Sequence, residues 1–579
     1  MQFYKDGFRG GNPDIHPAAP NRRNRGLHEP LPEQVDVLIV GTGPAGLCLA
    51  AQLSRFPEIT TMITERMSAN IIKGKADGIN TRTMEMFQAF GFADKVKRET
   101  YWVNQTAFWM PDPHNPDHIK RVGRVQDVAD DSSEMPHILI NQARLHELFL
   151  EVMKNSPSRL EPDYGWELVD LTIDPTTDDH PVTVTLKDSV GVNWGATRTV
   201  RANYVVGCDG GRSLVRKSIG AQLVGDEVVQ RVQSTCVRAP DLMARMKAPA
   251  AWAMFTVNPR RSGNVYAIDG RETWLIHNYL RDHESDFESV DRDWAIRTIL
   301  GVGPDFQYEL LSKEDWIGRR LVADKLRQGR VFIAGDSAHL WVPYAGYGMN
   351  AGIADADNLA WHLAAQLEGW ASPSALDAYE RERLPITEQV SHFAMNHAHA
   401  MSQRRRAIPA DIEDAGDAAD ASRRSFGQDL YELNVQQYCC AGLNFGYYYD
   451  ASPVMVYDDA VAPAYSMGSF TPSTVPGCRA PHVWLSDGVS LLDVLGTGFT
   501  LLCSPHARAE QTALMQQAMH AARVPLTVRV MDDRHTWPAE YRHAWHLIRQ
   551  DSHVVWRGDQ ITPDLAMSVV ACLRGELQA

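Results

Sequence analysis

The sequence predicts an α/β fold built from two domains, and three observations support this. An apolar strand pattern at Val35–Val40 runs directly into a glycine-rich turn and then a helical pattern. Between about 221 and 328, short alternating strand patterns with a hairpin signal at Asp269-Gly270 predict an inserted antiparallel sheet. After residue 476, strands and helices alternate again, which indicates a smaller α/β domain.

Composition excludes several classes of protein. The chain has 579 residues, of which 44% are apolar and 22% are charged, and is long enough for a large core. Its net charge of −15 disfavours nucleic-acid binding. No apolar run approaches the roughly 18–20 residues of a membrane helix, and residues 1–34 read as a polar arm rather than a signal peptide. The eight cysteines form no CxxC motif, so we expect a cytoplasmic protein without a metal site.

The first functional motif is the turn that follows the first strand. It contains Gly41, Gly43, Pro44, Ala45 and Gly46 in the pattern GxGxxG. The glycines permit a tight turn, close approach of a pyrophosphate and close packing of the helix on the sheet, while proline suits the first helical turn. Because strand, turn and helix follow in this order, the motif predicts a Rossmann-like dinucleotide site rather than a plain glycine turn.

A carboxylate selects the dinucleotide. The second strand, Thr60–Thr64, ends at Glu65. This side chain can accept hydrogen bonds from ribose hydroxyls and would repel a 2′-phosphate. The site therefore suits FAD or NAD(H) rather than NADP(H).

The remaining pattern defines four segments. We expect an arm at 1–34, a nucleotide-binding domain at 35–400 that contains the inserted sheet, a helical or loop linker at 401–475, and the small α/β domain at 476–579. The run from Arg404 to Arg424 has few apolar anchors and is read as an exposed loop or linker.

Three separated motifs resemble one enzyme family. They are the GxGxxG turn, the DGxxSxVR run from Asp209 to Arg216, and the GDxAH run from Gly335 to His339. In this order they resemble the single-component FAD aromatic hydroxylases of the para-hydroxybenzoate hydroxylase superfamily. The N-terminal arm and the run from Gly74 to Glu85 further resemble its phenol hydroxylase and 3-hydroxybenzoate 4-hydroxylase branch. That branch carries a C-terminal thioredoxin-like domain, which would be redox-inactive here without CxxC.

The resemblance implies which residues hold the cofactor. Asp336 would bond the ribityl chain, and Asn350 with its helix would place partial positive charge near the flavin. The DG motif would serve both FAD and a transient NADPH or NADH. Val342 and Tyr347 depart from the family's usual proline and glutamine. The implied FAD-binding residues beyond the glycine turn are Glu65, Arg82, Gln142, Arg144, Asp209, Gly210, Arg216, Gly335, Asp336, Pro343, Gly346, Gly348, Met349 and Asn350.

The resemblance also implies the chemistry. NADPH or NADH would reduce FAD, O₂ would give a C4a-hydroperoxide, and an electron-rich phenolic ring would be hydroxylated. Ionising a phenol of pKa about 10 at pH 7 costs roughly 4 kcal/mol, so a base near the hydroxyl is needed. The branch places this carboxylate at Asp77; the alternative is a turn aspartate before Gly78.

A second group of candidates comes from the inserted sheet. Tyr266, His277 and Tyr279 are candidate catalytic residues, and alternation puts the last two on one face of their strand; core or surface roles are the alternative. Trp252 and Tyr344 are candidate pocket walls. Candidates for binding a substrate carboxylate, against a solvated surface role, are Arg260, Arg261 and Arg271. His339 is expected to be structural.

The sequence thus predicts a hydroxylase acting on a small phenolic substrate such as a hydroxybenzoate. The same chemistry coupled to loss of a carboxylate, halide or nitro group stays open, as does tailoring of a polycyclic phenol. A flavin halogenase is disfavoured because no Trp-x-Trp occurs. A non-enzymatic FAD-binding protein remains the alternative of a different class. The resemblance alone suggests a homodimer.

Overall fold

The computed structural model describes residues 30–68, 78–89, 91–98, 105–111, 119–126, 132–140, 142–190, 194–245, 251–268, 272–438, 441–485, 488–531 and 537–577. The helices and strands up to residue 238 are, in chain order, β1 (Gln34–Val40), α1 (Pro44–Leu53), β2 (Thr61–Glu65), β3 (Gly78–Ile79), α2 (Thr81–Ala89), α3 (Ala93–Arg98), β4 (Gln105–Pro111), β5 (Ile119–Gln126), β6 (Ile138–Leu139), α4 (Gln142–Lys154), β7 (Asp163–Tyr164), β8 (Trp166–Ile173), β9 (Val182–Asp188), β10 (Thr197–Gly207), α5 (Leu214–Ser218) and β11 (Leu223–Arg238).

The elements of the second half follow in the same order. They are α6 (Leu242–Arg245), β12 (Ala253–Thr256), β13 (Gly263–Ala267), β14 (Thr273–Tyr279), α7 (Arg292–Leu300), β15 (Glu309–Lys313), β16 (Trp316–Ala323), β17 (Arg327–Gln328), β18 (Val331–Ile333), β19 (His339–Trp341), α8 (Tyr347–Leu367), α9 (Asp377–Arg406), α10 (Asp417–Tyr438), α11 (Ala441–Phe445), β20 (Phe499–Cys503), α12 (Ala509–Ala521), β21 (Leu526–Val530), β22 (Trp545–Ile548), β23 (Val554–Gly558) and α13 (Pro563–Leu573).

The first sheet is the parallel core of the fold. Its main path runs β17-β18-β10-β1-β2-β7, and β8 and β9 extend it from β10. β1 pairs in parallel with both β10 and β2. Val37, Leu38 and Ile39 in β1 are fully buried, as expected for a strand covered on both faces. The predicted α/β fold with a dinucleotide-type core is thereby confirmed.

The second sheet is largely antiparallel. Its path runs β19-β16-β11-β14-β13-β12-β4-β5, with β15 paired to β11. The long strand β11 pairs antiparallel with β16, and β12 pairs in parallel with β4. Strands at 105–126 and 339–341 complete the sheet on either side of the 221–328 segment. β19 follows the turn at Gly335–Ser337 and pairs with β16, so this edge of the second sheet lies next to that turn.

The first part of the linker, up to Phe445, is mostly helical. α9 extends to Arg406 and α10 begins at Asp417, so the stretch without helix or strand between them is confined to 407–416. Buried apolar residues at Ile412, Ala419 and Phe426 anchor it to the core under the second sheet. Because these apolar anchors are few, the composition predicted a loop over residues 404–424, whereas only 407–416 lie outside helices.

The C-terminal unit is a four-stranded sheet in the order β21-β20-β22-β23. Helices α12 and α13 pack against each other beside it. Arg549 of this unit is buried and donates to Glu382 of α9 through its two terminal guanidinium nitrogens, at 2.9 and 2.7 Å. The unit is thus joined to the first domain by buried charges as well as by apolar contact. Among the helices of the described chain, none has the length and hydrophobicity needed to cross a bilayer.

Candidate functional site

The glycine turn has the shape a pyrophosphate requires. Gly41 has φ +107°, and a Cβ there would lie 2.3 Å from the carbonyl oxygen of Cys208. A Cβ on Gly46 would lie 2.1 Å from the carbonyl oxygen of Gly41, so α1 packs on the turn only because residue 46 is glycine. In contrast, no described atom lies within 4 Å of a Cβ built on Gly43. The space beside Gly43 is therefore open to a ligand.

The start of α1 is ready to accept an anion. Its N-cap is Gly43, which has no side chain to cap the helix, and Pro44 and Ala45 form the first turn. The unpaired backbone N–H groups and the helix dipole favour a negative group at this end. Glu65 lies beside the turn, where one carboxylate oxygen accepts hydrogen bonds from the Thr42 N–H at 3.1 Å and the Thr42 hydroxyl at 3.0 Å. These contacts hold the carboxylate next to the glycine turn.

Two further turns are fastened to each other. Asp209 accepts a hydrogen bond from the Ser337 hydroxyl at 3.0 Å, and that hydroxyl accepts one from the Gly210 N–H at 3.0 Å. Arg216 donates to the carbonyl oxygens of Ser337 at 2.8 Å and Gly211 at 2.9 Å. Asp209 and Arg216 of the DG motif therefore fix it against the GD motif. Ser337 was not a sequence candidate, although it lies inside the motif.

The GD turn is held by a buried ionic group on its other side. Asp355 of α8 accepts from the Gly335 N–H at 3.2 Å, from His339 Nε2 at 2.8 Å and from Arg383 Nε at 2.9 Å. Burial alone would raise the pKa of Asp355, but His339 and Arg383 outweigh it and lower the pKa to about 2. His339 is thus a support of the turn, as expected from its position, and Asp336 stands exposed at the turn's surface.

The start of α8 is tied to the segment that follows Asp77. Asn350 accepts from the Asn80 N–H at 3.0 Å and donates to the carbonyl oxygens of Gly78 at 2.9 Å and Gly346 at 2.6 Å. Gly346 has φ +64° and caps the helix without a side-chain hydrogen bond. Gly348 and Met349, half-buried in the first turn of α8, and the exposed Pro343 complete this edge.

Three more cofactor candidates lie on α2 and α4. Arg82 is buried and donates to Glu85 at 2.9 Å and to the carbonyl oxygen of Asp551. Together with Asn350 and Arg383 it lines a cavity with about 400 Å³ of empty space, part of it open to solvent. Gln142 is half-buried and Arg144 buried in the first turn of α4, a helix that packs against α1. Their roles toward FAD remain predictions.

Two candidates lie outside the described residues: Asp77 and Arg271. The described chain resumes at Gly78, immediately after Asp77. The Gly78 Cα lies 4.0 Å from a Cβ built on Gly346, so the described chain resumes beside the start of α8. The role of Asp77 as a base stays a prediction.

The second sheet presents a group of aromatic residues, here called the aromatic face: Tyr266, His277, Tyr279, Trp316 and Tyr344. The ring centroid of His277 lies 5.1 Å from that of Tyr266, 6.3 Å from that of Tyr279 and 5.7 Å from that of Trp316. Trp252 packs on Tyr266 at 5.4 Å. The predicted alternation along β14 therefore does bring His277 and Tyr279 onto one face.

Two polar groups of the aromatic face, His277 and Tyr279, are neutral at pH 7. Burial, reinforced by Arg405, lowers the pKa of His277 to about 3. Burial also raises the pKa of Tyr279 well above its ordinary value, and the neighbouring Tyr344 and Tyr266 add to this. The amide of Asn264 donates to the hydroxyls of both Tyr266 and Tyr279, each at 2.9 Å. Neither His277 nor Tyr279 supplies an anion that can take a proton from a phenol.

Two of the arginine candidates are already paired. Arg260 binds Glu413 at 2.6 Å, and the buried Arg261 binds Glu284 at 2.7 Å. Each guanidinium is held by a carboxylate, which disfavours its binding a substrate carboxylate. Arg405, which the sequence did not single out, lies against the aromatic face instead, with its guanidinium carbon 3.7 Å from the ring centre of Tyr279.

A glycine turn with an open side, an uncapped helix start, a positioned Glu65 and two interlocked turns fit the phosphates and ribose of a dinucleotide. The adjacent aromatic face fits a planar substrate ring. Fold and site together fit a dinucleotide-dependent enzyme whose second sheet carries a cluster of aromatic side chains.

Comparison with known proteins specifies this class. Residues 34–394 match the family model of an FAD binding domain, and residues 473–574 match that of an aromatic-ring hydroxylase C-terminal domain. The 3-hydroxybenzoate 4-monooxygenase of Comamonas testosteroni is 42% identical over 68% of this chain and 64% of its own length. The rebeccamycin biosynthetic enzyme RebC with reduced flavin superposes with a TM-score of 0.81 at 28% identity, over 95% of this chain and all of that one.

A third relative is aklavinone-11 hydroxylase in complex with FAD and aklavinone, with a TM-score of 0.76 at 26% identity, over 94% of this chain and 99% of that one. The chain belongs to the FAD-dependent aromatic-ring hydroxylases of the para-hydroxybenzoate hydroxylase superfamily. It is a flavoprotein monooxygenase, and FAD is the group that its glycine turn, Glu65 and the interlocked turns would hold.

Buried histidines make the fold sensitive to acid. Burial lowers the pKa of His146 and His546 to about 3 and that of His397 to about 4, as it does for His277. Each of these histidines binds protons more readily in the unfolded chain than in the fold. Protonation therefore lowers the free energy of unfolding as the pH falls below the unfolded pKa of about 6.5, and has little effect above it. At pH 5 each should lower the free energy of unfolding by about 2 kcal/mol.

We therefore expect His146→Leu to reduce the loss of unfolding free energy between pH 7 and pH 5 by about 2 kcal/mol in urea unfolding. His283→Asn is the matched control, because the His283 side chain is 75% exposed. An unchanged pH dependence in His146→Leu would contradict the assignment.

Proposed function

We propose that this enzyme hydroxylates the ring of a small phenolic acid, with Asp77 as the base that takes the phenol proton. NAD(P)H supplies two electrons, one atom of O₂ enters the ring and the other leaves as water. Bound FAD supplies the electron transfer and the activation of O₂. The chain's own residues bind the ring, exclude water and remove the proton.

One observation carries the proposal most. Asn350 binds both the segment that begins at Gly78 and the start of α8, and the 3₁₀ turn Tyr344–Gly346 connects this point to the aromatic face. Gly78 and the start of α8 are thus in contact, and Tyr344 of the aromatic face lies three residues before that helix, which supports placing the substrate ring here. This is where a ring would have to lie to be both deprotonated and oxidised.

The assignment of the base also follows from the neutral surroundings. His277 has a pKa of about 3 and is a weak base, and Tyr279 keeps its proton at pH 7. A carboxylate at residue 77 supports phenol ionisation where these groups do not. The substrate class is supported by the 3-hydroxybenzoate 4-monooxygenase relative.

The proposal extends to the C-terminal unit. Parallel pairing of β20 with β21, antiparallel pairing of β22 with β20 and β23, and two flanking helices support a thioredoxin-like arrangement over 476–579. Since the sequence has no CxxC, we assign it no redox step. Its buried ionic contacts with α9 support a role in holding the first domain.

A second candidate is hydroxylation of a polycyclic phenol. The full-length superposition on a hydroxylase bound to aklavinone favours it. The two candidates differ in the size of ring system that the site admits, so one substrate panel distinguishes them.

The test is to purify the protein with its flavin and screen phenolic acids, neutral phenols and polycyclic phenols for stimulated NAD(P)H oxidation. We expect a monocyclic phenolic acid to stimulate oxidation and to gain the mass of one oxygen atom. Stimulation by polycyclic phenols alone would favour the second candidate. A yellow protein that no phenol stimulates would contradict both.

A further inference from the structure

One cation on the aromatic face lacks an anionic partner among the described residues. Arg405 is half-buried in the last turn of α9. Its guanidinium approaches the Tyr344 hydroxyl at 3.4 Å and the Asn264 carbonyl oxygen at 3.3 Å, both longer than the 2.7–2.9 Å typical of charge-assisted hydrogen bonds. Its third close neighbour is the ring of Tyr279. Within the described part of the chain, Arg405 forms no ion pair.

The neighbouring arginines are different. Arg404 pairs with Asp429 at 3.3 Å and Arg406 with Asp282 at 2.7 Å. On the second sheet, Arg260 and Arg261 are also held by carboxylates. Arg405 is distinguished from these arginines because, within the described residues, it lacks a carboxylate partner and contacts Tyr344, Asn264 and Tyr279.

The surroundings of Arg405 do not compensate its charge. Tyr279 has a raised pKa and stays protonated, and burial together with Arg405 keeps His277 neutral. The Asn264 amide nitrogen is turned toward the hydroxyls of Tyr266 and Tyr279, so its carbonyl oxygen is left to face Arg405. A guanidinium has five N–H donors, and two long contacts leave most of its capacity unused. A partly buried charge in this condition favours binding of an anion.

We propose that Arg405 binds the carboxylate of an aromatic acid substrate and makes the enzyme selective for phenolic acids over neutral phenols. The planar guanidinium can bind a carboxylate through two parallel hydrogen bonds. The rings of Tyr266 and Tyr279 lie beside it, so an acid held there would have its ring against the aromatic face. This inference rests on the proposed substrate class and adds the residue that recognises it.

A purely structural role is the alternative. In that case Arg405 would only stack on Tyr279 and hold the end of α9 against the sheet, which is a common use of arginine. A structural role predicts that removal of the charge weakens binding of acids and neutral analogues alike. A recognition role predicts a loss confined to the acid.

The test is calorimetric titration of the FAD-loaded enzyme with 3-hydroxybenzoate and with its neutral analogue 3-hydroxybenzamide. We expect the wild type to bind the acid more tightly than the amide by about 10- to 100-fold, the range that a hydrogen bond to a charged group supports. In Arg405→Gln this preference should fall below about threefold, because only the acid loses its partner. Arg405→Lys, which keeps the charge without the planar fork, should keep part of the preference.

The matched control is Arg406→Gln, which removes an exposed arginine from the same helical turn and should leave both affinities unchanged. Equal affinity of the wild type for acid and amide, no binding of the acid, or an equal loss for both ligands in Arg405→Gln would overturn the proposal. Because binding is read without turnover, an acid that binds through Arg405 but yields no hydroxylated product would contradict the proposed function and leave the anion site standing.

Discussion

Replacement of Asp77 by asparagine is expected to lower hydroxylated product per NAD(P)H oxidised by at least about 100-fold, the range in which a general base contributes. Asparagine has nearly the same shape but cannot accept the phenol proton. The flavin absorbance and substrate-stimulated NAD(P)H oxidation should persist, with the electrons released as hydrogen peroxide. Product is measured by mass spectrometry and peroxide by a coupled assay.

The pH dependence of this variant provides a sharper check. A phenol of pKa about 10 ionises in solution as the pH rises, so product formation by Asp77→Asn should increase toward alkaline pH more steeply than in the wild type. Asp94→Asn is the control, since its side chain is 78% exposed. Product yield that stays coupled to NAD(P)H oxidation in Asp77→Asn would show that another group is the base.

Replacement of Arg549 by methionine is expected to lower the free energy of unfolding by about 3–5 kcal/mol. The Arg549 guanidinium binds Glu382 at 2.9 and 2.7 Å and Asp551 at 3.0 and 2.7 Å, in a site where its side chain is 1% exposed. Burial would raise the pKa of both carboxyls, but Arg549 lowers the pKa of each. Without it, two carboxylates face each other in the interior.

The effect should reach the FAD site. Glu382 is adjacent in α9 to Arg383, which binds Asp355, and Asp355 accepts from the Gly335 N–H. We therefore expect Arg549→Met to weaken FAD binding as well, measured by flavin fluorescence, while urea unfolding reports stability. Arg529→Met, on the exposed part of β21, should stay within about 0.5 kcal/mol of the wild type.

A double variant separates charge from packing. Glu382→Gln combined with Arg549→Met removes one uncompensated carboxylate and should recover part of the lost stability. Unchanged unfolding and FAD affinity in Arg549→Met would contradict the structural role of this buried group.

Local features of the sequence predicted much of the fold and the cofactor site. Gly41, Gly43 and Gly46 act through neighbouring backbone, so their spacing is sufficient to predict the turn. Alternation along β14 likewise predicted that His277 and Tyr279 share a face. Such features depend on residues close in the chain.

The contacts that the sequence did not predict join residues that are far apart in the chain. Arg260 is paired with Glu413 and Arg549 with Glu382, which are 153 and 167 positions apart. Arg404, Arg405 and Arg406 look alike in sequence, and only the packing of α9 on the second sheet turns Arg405 inward. No local pattern distinguishes the three.

The most direct test of the central claim is an isotope measurement. The purified enzyme is supplied with NAD(P)H, the phenolic acid that stimulates its oxidation and ¹⁸O₂, and the product is analysed by mass spectrometry. We predict one ¹⁸O atom in the new ring hydroxyl and none when the label is supplied as H₂¹⁸O. A product without label from ¹⁸O₂, or peroxide as the sole product of NAD(P)H oxidation, would contradict the account of this chain as a phenolic acid hydroxylase.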